Sequence, residues 1–269
     1  MKIIYAGCNF FSSVLDEILA NPKCELLYCL TDSEKIEGKT VAKLCKLHDI
    51  PLHSDGWSKD LINTINAFNA DLFITAAYPY LVPVNSLNCT HCINIHPSLL
   101  PMGRGANPLP NLVTEYPQFS GLTIHTMNSK FDEGDIIVSA PIAIDDNDNF
   151  DSLAMKMFVG APKLLNQFLA GYPDVINNAQ PQTGGEYWPC CSAEERTIDW
   201  HMGVDDILYM YKKYGYTGVI FPFADGVQIE TTNIIAVHSS HNYPSGEIVM
   251  DGGKFIYVAV WDGLVRIWL

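Results

Sequence analysis

The chain has 269 residues, 48% of them hydrophobic and 17% charged, which excludes a disordered or fibrous protein and allows a substantial buried core. The formal net charge of −14 argues against a nucleic-acid partner, because affinity for a phosphate backbone depends on clustered Lys and Arg side chains. No apolar run reaches the roughly 20 residues that span a membrane, and the 8 cysteines are scattered, so we expect a cytoplasmic protein with reduced thiols.

The first part of the chain alternates short apolar runs with helix-like stretches. The strand-like runs are residues 2–7, 24–30 and 71–78, and the helix-like stretches are residues 11–20, 40–48 and 61–69. Because the strand-like runs are apolar throughout, we expect both faces of their sheet to be covered. The order predicts an α/β fold with a Rossmann-like, mostly parallel sheet and flanking helices. The first turn, Gly7-Cys8-Asn9-Phe10, lacks the Gly-x-Gly-x-x-Gly spacing, which disfavours NAD and FAD.

Two polar side chains close an apolar run in the middle of the chain. Asn94 and His96 are two positions apart, so they point to the same face if the segment is a strand. The next residues interrupt regular structure and leave backbone N–H groups free for a substrate or an anion: Pro97, Pro101, Gly103 and Gly105. A second block, residues 121–138, supplies His125 and then Asp132 in a turn-like Asp-Glu-Gly-Asp.

The second half of the chain begins with a helical pattern over residues 152–170, in which Pro162 predicts a kink or a new turn. A stretch rich in Pro and Gly follows and predicts a domain boundary, which we set between residues 185 and 186. Residues 186–269 then read as one amphipathic helix over 204–214 and short strands at 234–239, 247–250, 254–260 and 264–269. The sequence therefore predicts a catalytic domain of residues 1–185 and a small β-rich C-terminal region.

The two blocks that supply Asn94, His96, His125 and Asp132 resemble a known family. This is the formyltransferase family, which includes methionyl-tRNA formyltransferase, glycinamide ribonucleotide transformylase and the sugar N-formyltransferases. The resemblance is carried by Asn94, His96, Ser98 to Pro101, Arg104-Gly105, Thr123, His125, Asp132, Gly134 and Ile136. It implies that an acceptor amine attacks the formyl carbon of 10-formyltetrahydrofolate beside Asn94, His96 and Asp132, and that no metal is needed. Asn94 and His96 would stabilise the charge on the formyl oxygen, a contribution of ~3 kcal/mol per donor. Whether His96 or Asp132 takes the amine proton stays open at this stage.

The resemblance also implies binding residues for the two substrates. The folate is expected to contact Tyr78, Tyr80, Leu81, Val82, His125 and Asp132. The acceptor is expected to contact Met102, Gly103, Arg104, Gly105 and Trp200, with Arg104 pairing with a diphosphate and Trp200 stacking on sugar or base.

The acceptor is predicted from the C-terminal region. From Glu186 to the end, five basic residues face eleven acidic ones, a net charge of −6 that is unfavourable for tRNA. Residues 195–216 resemble a segment of the sugar N-formyltransferases, which implies a nucleotide-linked amino-dideoxy sugar, with dTDP-4-amino-4,6-dideoxyglucose as the leading candidate. The same branch implies a homodimer and a place in lipopolysaccharide O-antigen assembly.

Several alternatives stay open from sequence. His96 and His125 could be structural, and Asp132 could serve only its turn. Cys89, His91 and Cys92 could bind zinc, with Cys190 and Cys191 as further ligands, although structural zinc sites usually combine two spaced pairs of ligands. Methionyl-tRNA or another amine could be the acceptor, water could replace it in a formyltetrahydrofolate hydrolase, and an inactive folate- or sugar-binding homologue is the non-enzymatic alternative.

Overall fold

A computed structural model describes residues 1–223 and 226–269, and contacts divide the chain into two compact units. The first unit consists of Met1–Pro108, Gln118–Ala143 and Ala154–Pro189, and the second of Leu109–Pro117, Ile144–Leu153 and Cys190–Leu269. The sequence predicts a boundary between residues 185 and 186, whereas the second unit resumes at Cys190 and includes two earlier segments. No local signal in the sequence marks those two segments.

Strands and helices alternate as the sequence predicts in the first part of the chain. The strands that precede Cys190 are β1 (Lys2–Gly7), β2 (Glu25–Leu30), β3 (Leu52–His53), β4 (Leu72–Ala76), β5 (His91–His96), β6 (Met102–Arg104), β7 (Gly121–Thr126), β8 (Ile136–Pro141) and β9 (Glu186–Tyr187). The helices are α1 (Ser12–Ala20), α2 (Lys39–Leu47), α3 (Lys59–Ala67), α4 (Leu109–Thr114), α5 (Phe150–Gly171) and α6 (Val204–Tyr214). The remaining strands are β10 (Val219–Pro222), β11 (Gln228–Thr231), β12 (Ile234–His238), β13 (Ile248–Asp251), β14 (Phe255–Val260) and β15 (Gly263–Trp268).

The first unit is built on a seven-stranded sheet in the order β3-β2-β1-β4-β5-β7-β8. The first five strands of that order run parallel, while β7 and β8 are antiparallel to their neighbours. The central strands are almost fully buried, as their unbroken apolar runs predict. The predicted Rossmann-like, mostly parallel sheet with flanking helices is confirmed.

Strand register brings the polar residues of the two sequence blocks together. Asn94 on β5 lies opposite His125 on β7 and opposite Thr75 on β4. His96, two residues further along β5, lies opposite Thr123. Because side chains two apart share a face, Asn94 and His96 both belong to the polar end of β5, at the carboxyl edge of the parallel strands.

Helix α5 continues through Pro162, where the sequence predicts a kink or a new turn. Proline has no N–H, so the carbonyl of Phe158, four residues earlier, loses its helical hydrogen bond. The hydroxyl of Ser13 donates to that carbonyl oxygen at 2.6 Å. A side chain from α1 thus replaces the missing bond, which the local sequence pattern does not reveal.

The second unit contains helix α6, the antiparallel pair β10-β11 and a four-stranded antiparallel sheet in the order β12-β15-β14-β13. Its core includes Ile207 of α6, Phe221, Val258 and Ile267, all of them buried. The predicted helix and the β-rich character of the C-terminal region are confirmed. Over residues 1–223 and 226–269, no helix has the length and apolarity needed to span a membrane.

Candidate active site

The carboxylate of Asp132 is the meeting point of three polar side chains in the first unit. Its Oδ1 lies 3.2 Å from Asn94 Nδ2, 3.4 Å from His96 Nδ1 and 3.5 Å from His125 Nε2. His96, His125 and Asp132 are all buried. The structure therefore brings together the three side chains predicted to be catalytic, together with His125.

Asp132 is held in an unusual backbone conformation by its surroundings. Its φ of 57° is in the left-handed region, which Asp tolerates better than most residues. The backbone N–H of Gly105 donates to Oδ2 at 2.9 Å. Gly134, two residues later, has no room for a side chain, because an added Cβ would lie 1.7 Å from the carbonyl oxygen of Thr126. The turn therefore presents the carboxylate in one orientation.

The partners of the two histidines define their tautomers. His96 Nε2 lies 2.7 Å from the carbonyl oxygen of Gly103, and His125 Nδ1 lies 2.7 Å from that of Thr126. Since a carbonyl only accepts, His96 carries its proton on Nε2 and His125 on Nδ1. In the neutral rings, the other nitrogens are bare, and both face the Oδ1 atom of Asp132.

Every polar group of the Asn94 amide is engaged. Its Oδ1 accepts from the Thr75 hydroxyl at 2.7 Å, while Nδ2 donates to Asp132 and lies 3.1 Å from the bare Nε2 of His125. Thr75 is buried and is the residue of this group that sequence reasoning missed. Its signal was present, because Thr75 is the polar residue in the otherwise apolar run Leu72–Ala76.

The pKa values of His96 and Asp132 are both lowered, but for different reasons. Burial lowers the pKa of His96 below its ordinary value, and the nearby Asp132 only partly opposes this. Burial by itself raises the pKa of Asp132, but the attraction to His96 and His125 and the hydrogen bond from the N–H of Gly105 outweigh it and lower the pKa to about 2. At neutral pH the site thus combines a neutral imidazole with an ionised carboxylate.

Four of the six residues predicted to bind folate follow β4. Tyr78 is mostly buried, which raises its pKa, and its ring centroid lies 5.4 Å from that of Tyr80. The Tyr80 hydroxyl donates to Asp32 at 2.9 Å. Val82 is buried and Leu81 is exposed. The contact of these residues with folate stays a prediction.

The residues predicted to bind the acceptor divide between the two units. In the first unit, Arg104 donates from Nε and Nη2 to the Gln182 side chain and from Nη2 to the Gly184 carbonyl. The N–H of Gly105, expected to be free for a ligand, is used by Asp132. In the second unit, Trp200 donates to the Pro222 carbonyl at 2.5 Å and packs against Phe221 and Phe223. A role in acceptor binding stays a prediction for Met102, Gly103, Arg104, Gly105 and Trp200.

The Cys89–Cys92 segment has internal partners. The two thiols form a hydrogen bond that lowers the pKa of Cys89 and raises that of Cys92. His91 Nδ1 lies 3.0 Å from the Tyr172 hydroxyl. Among residues 1–223 and 226–269, no group of three or more His, Cys, Asp or Glu side chains is arranged to hold a metal ion.

Comparison with known proteins identifies the relatives of this chain. The methionyl-tRNA formyltransferase of Rickettsia africae is 27% identical over 278 residues, a match that covers 99% of this chain and 90% of the relative. The similarity to this tRNA enzyme therefore extends into the C-terminal region, where residues 195–216 resemble a segment of the sugar N-formyltransferases.

Two solved structures share the fold. HypX from Aquifex aeolicus, in complex with tetrahydrofolic acid, gives a TM-score of 0.77 at 18% identity; the match covers 99% of this chain, which spans 43% of the length of HypX. An N-formyltransferase from Helicobacter canadensis, in complex with folinic acid and dTDP-3-aminofucose, gives a TM-score of 0.63 at 13% identity and covers 100% of this chain and 99% of that chain.

A family model describes the segment that carries the site. The formyl transferase model matches residues 11–169, more than half of the chain, and this range includes Asn94, His96, His125 and Asp132. With its mostly parallel sheet, the chain belongs to the formyl transferase family.

Proposed function

We propose that this chain transfers the formyl group of 10-formyltetrahydrofolate to the primary amine of a nucleotide-linked amino-dideoxy sugar, with dTDP-4-amino-4,6-dideoxyglucose as the first candidate. One observation carries the proposal. A single carboxylate oxygen of Asp132 lies within 3.5 Å of Asn94 Nδ2, His96 Nδ1 and His125 Nε2. Such a cluster supplies both a donor for developing negative charge and an acceptor for a proton.

The polar groups around Asp132 fit a folate that carries a formyl group. When bound, this co-substrate supplies an electrophilic carbon, and its release as tetrahydrofolate leaves the formyl group on the acceptor nitrogen. An amide N–H and an imidazole–carboxylate pair around one point match the needs of that transfer. We propose that Tyr78, Tyr80, Leu81 and Val82 contact the folate. The complexes of HypX with tetrahydrofolic acid and of the Helicobacter canadensis enzyme with folinic acid support this choice.

The proton of the attacking amine goes to the pair formed by His96 and Asp132. The Nε2 proton of His96 is bound to the Gly103 carbonyl, so Nδ1 is the ring nitrogen that can accept. Because burial lowers the pKa of His96, the ring is neutral and available at neutral pH. The ionised Asp132, 3.4 Å from Nδ1, then stabilises the imidazolium that forms. The imidazolium returns this proton to the folate nitrogen as its bond to the formyl carbon breaks, which gives tetrahydrofolate.

Asn94 stabilises the formyl oxygen as the amine adds. Its amide is oriented by the 2.7 Å hydrogen bond from Thr75, and it donates to Asp132 at 3.2 Å. In this proposal that N–H turns from the carboxylate to the oxygen that gains charge. The hydrogen bond from Thr75 keeps the amide oriented during this change, and one such donor contributes ~3 kcal/mol.

The acceptor assignment rests on charge and on one structural neighbour. The net charge of −6 from Glu186 to the end is unfavourable for the phosphate backbone of tRNA. The Helicobacter canadensis enzyme was crystallised with dTDP-3-aminofucose. We propose that Arg104 pairs with the diphosphate and that Trp200 stacks on the sugar or the base. A homodimer located in the cytoplasm is part of the same proposal.

A second candidate acceptor is methionyl-tRNA. It is favoured by the Rickettsia africae enzyme, whose similarity covers 99% of this chain. The two candidates differ in the charge they require, because a tRNA acceptor stem needs several phosphate contacts, whereas a nucleotide sugar presents one diphosphate.

One experiment separates these acceptors. The protein is incubated with 10-formyltetrahydrofolate and either a panel of dTDP-, UDP- and GDP-linked amino sugars or initiator methionyl-tRNA, and products are weighed by mass spectrometry. We expect a mass gain of one formyl group on a dTDP-amino sugar. Formylation of methionyl-tRNA alone would replace the sugar assignment, and formate release without any formylated product would indicate a hydrolase.

A further inference from the structure

Gln182 bridges two loops of the candidate site from outside its motif. Its Nε2 donates to the backbone carbonyls of Asp132 at 2.8 Å and Gly134 at 2.6 Å. Its Oε1 accepts from Arg104 Nε at 2.9 Å and from Nη2 at 2.8 Å. This orientation of the amide follows from chemistry, because a guanidinium only donates and a carbonyl only accepts. The amide nitrogen and the amide oxygen of Gln182 thus each take part in two hydrogen bonds.

The segment that follows Gln182 holds strand β6. β9 pairs with β6, and the N–H of Trp188 donates to the carbonyl of Arg104 at 2.8 Å. The packing is close, since a Cβ added to Gly105 would lie 2.4 Å from the carbonyl oxygen of Trp188. Residues 182–188 therefore fix the backbone from Met102 to Gly105 along one side.

The backbone from Met102 to Gly105 supplies two contacts to the candidate catalytic groups. The carbonyl of Gly103 accepts from His96, and the N–H of Gly105 donates to Asp132. Gln182 joins this stretch, through Arg104, to the turn that carries Asp132. The imidazole and the carboxylate are thus attached to two backbone segments that one side chain ties together.

We propose that Gln182 is a positioning residue that sets the geometry of Asp132 relative to His96, with Arg104 as its anchor. This role rests on the proposed function, in which these two groups handle the amine proton. Asp132 has a backbone conformation that L residues seldom adopt, so its turn depends on outside hydrogen bonds to keep the carboxylate in place. Arg104 therefore also orients Gln182 within the protein, in addition to any contact with the acceptor.

Two substitutions test the two ends of the amide. Gln182→Met removes every hydrogen bond without adding charge. Gln182→Glu keeps an acceptor for Arg104 but replaces the N–H donor with an oxygen that faces the carbonyls of Asp132 and Gly134. With 10-formyltetrahydrofolate and dTDP-4-amino-4,6-dideoxyglucose, both variants should lower kcat by about 10- to 100-fold, because small displacements of reacting groups have effects of this size. KM for the folate should change less than about threefold, as expected for a positioning residue.

Gln180→Met is the matched control. Gln180 is two residues away and exposed, and its side chain donates to the Asn178 carbonyl. Its kcat should equal that of the wild type. A thermal unfolding curve for each variant confirms that the fold is retained, and Gln182→Glu preserves the test if Gln182→Met does not fold.

The background of Asp132→Asn distinguishes positioning from a general structural role. If Gln182 acts through Asp132, adding Gln182→Met to Asp132→Asn should slow the enzyme by less than about twofold more. Multiplying effects, or a wild-type kcat for both Gln182 variants, would overturn the proposal. A wild-type kcat for Asp132→Asn itself would instead overturn the proposed catalytic site.

A measurement that needs no substrate tests the positioning role even if the acceptor is a different amine. Asp132 opposes the lowering of the His96 pKa, so loosening its turn should lower that pKa further. An NMR titration of the His96 ring in Gln182→Met should show this decrease, with no change in Gln180→Met. An unchanged titration in Gln182→Met would contradict the positioning role independently of any substrate.

Discussion

The two compact units use their charged side chains in different ways. In the first unit, buried Asp132 is surrounded by Asn94, His96 and His125, and each of these has further partners. In the second unit, the pair of His238 and Asp205 lies at the surface, with side chains that are 58% and 86% exposed. Exposed pairs of this kind contribute little to stability or chemistry, because solvent screens them.

The difference indicates where chemistry can take place. Removing polar groups from water is unfavourable unless they find partners, so a buried polar cluster requires several side chains in a specific arrangement. Such clusters concentrate at functional sites, since a dry environment strengthens electrostatic interactions with a reacting group. The comparison supports the proposal that formyl transfer takes place in the first unit, and the following predictions test that proposal in order of decreasing effect.

Asp132→Asn should cause the largest loss. The substitution keeps the shape of the side chain but removes the charge that stabilises a protonated His96, so we expect kcat to fall by about 1,000-fold. The matched change in the second unit is Asp205→Asn, which removes the exposed partner of His238. It should leave kcat unchanged. Steady-state kinetics of both variants with the same substrates measures the contrast, and equal losses in the two would remove the distinction between the units.

Thr75→Val should give an intermediate loss. The variant is nearly isosteric but lacks the hydroxyl that donates to Asn94 Oδ1 at 2.7 Å. A freed Asn94 amide is less well aimed at the formyl oxygen, so we expect kcat to fall by about 10-fold and the free energy of unfolding by about 1 kcal/mol. Kinetics and urea unfolding measure the two effects. An unchanged kcat beside a lowered stability would limit Thr75 to a structural role.

The pH dependence should reveal the neutral state of His96. Because burial lowers its pKa, the ring stays unprotonated as the pH falls from 8 to about 6.5, and kcat/KM should remain flat over that range and decline only below it. The stability of the fold should also decrease as the pH falls. The unfolded state binds the proton first, so the free energy of unfolding should begin to decrease below about pH 6.5. A kinetic transition centred above about 6.5 would indicate that a different group controls the rate.

Ala77→Gly should have the smallest effect. Ala77 has a φ of 52°, in the left-handed region, immediately before the loop proposed to bind folate. Glycine relieves that strain but loses more chain entropy on folding, so the two contributions nearly cancel and stability should change by less than about 0.5 kcal/mol. Ala42→Gly, within helix α2, should instead destabilise by about 1 kcal/mol. Thermal unfolding compares the pair.

The sequence predicts those features that local patterns encode. Unbroken apolar runs predicted the buried parallel strands, and the two-residue spacing of Asn94 and His96 predicted their common face. The position of His125 opposite Asn94 was not readable, because it depends on the antiparallel pairing of β7 with β5. The C-terminal helix and strands followed from periodicity in the same way as the N-terminal ones.

Long-range contacts account for what the sequence did not predict. The bond from Ser13 to Phe158 that supports α5 at Pro162 joins residues 145 positions apart. Gln182 reaches Asp132 across 50 positions and lies within a Pro- and Gly-rich stretch that predicts only a boundary. In neither case does the neighbouring sequence carry a periodic or motif signal, since the partner comes from tertiary packing.

The joint action of His96 and Asp132 is most directly tested by a double-mutant cycle. The values of kcat are measured for the wild type, His96→Ala, Asp132→Asn and the double variant, with 10-formyltetrahydrofolate and an accepted amine. If the two groups hold one proton as a pair, the double variant should be about as slow as the slower single variant. Losses that multiply, or single variants with wild-type rates, would contradict the proposed site.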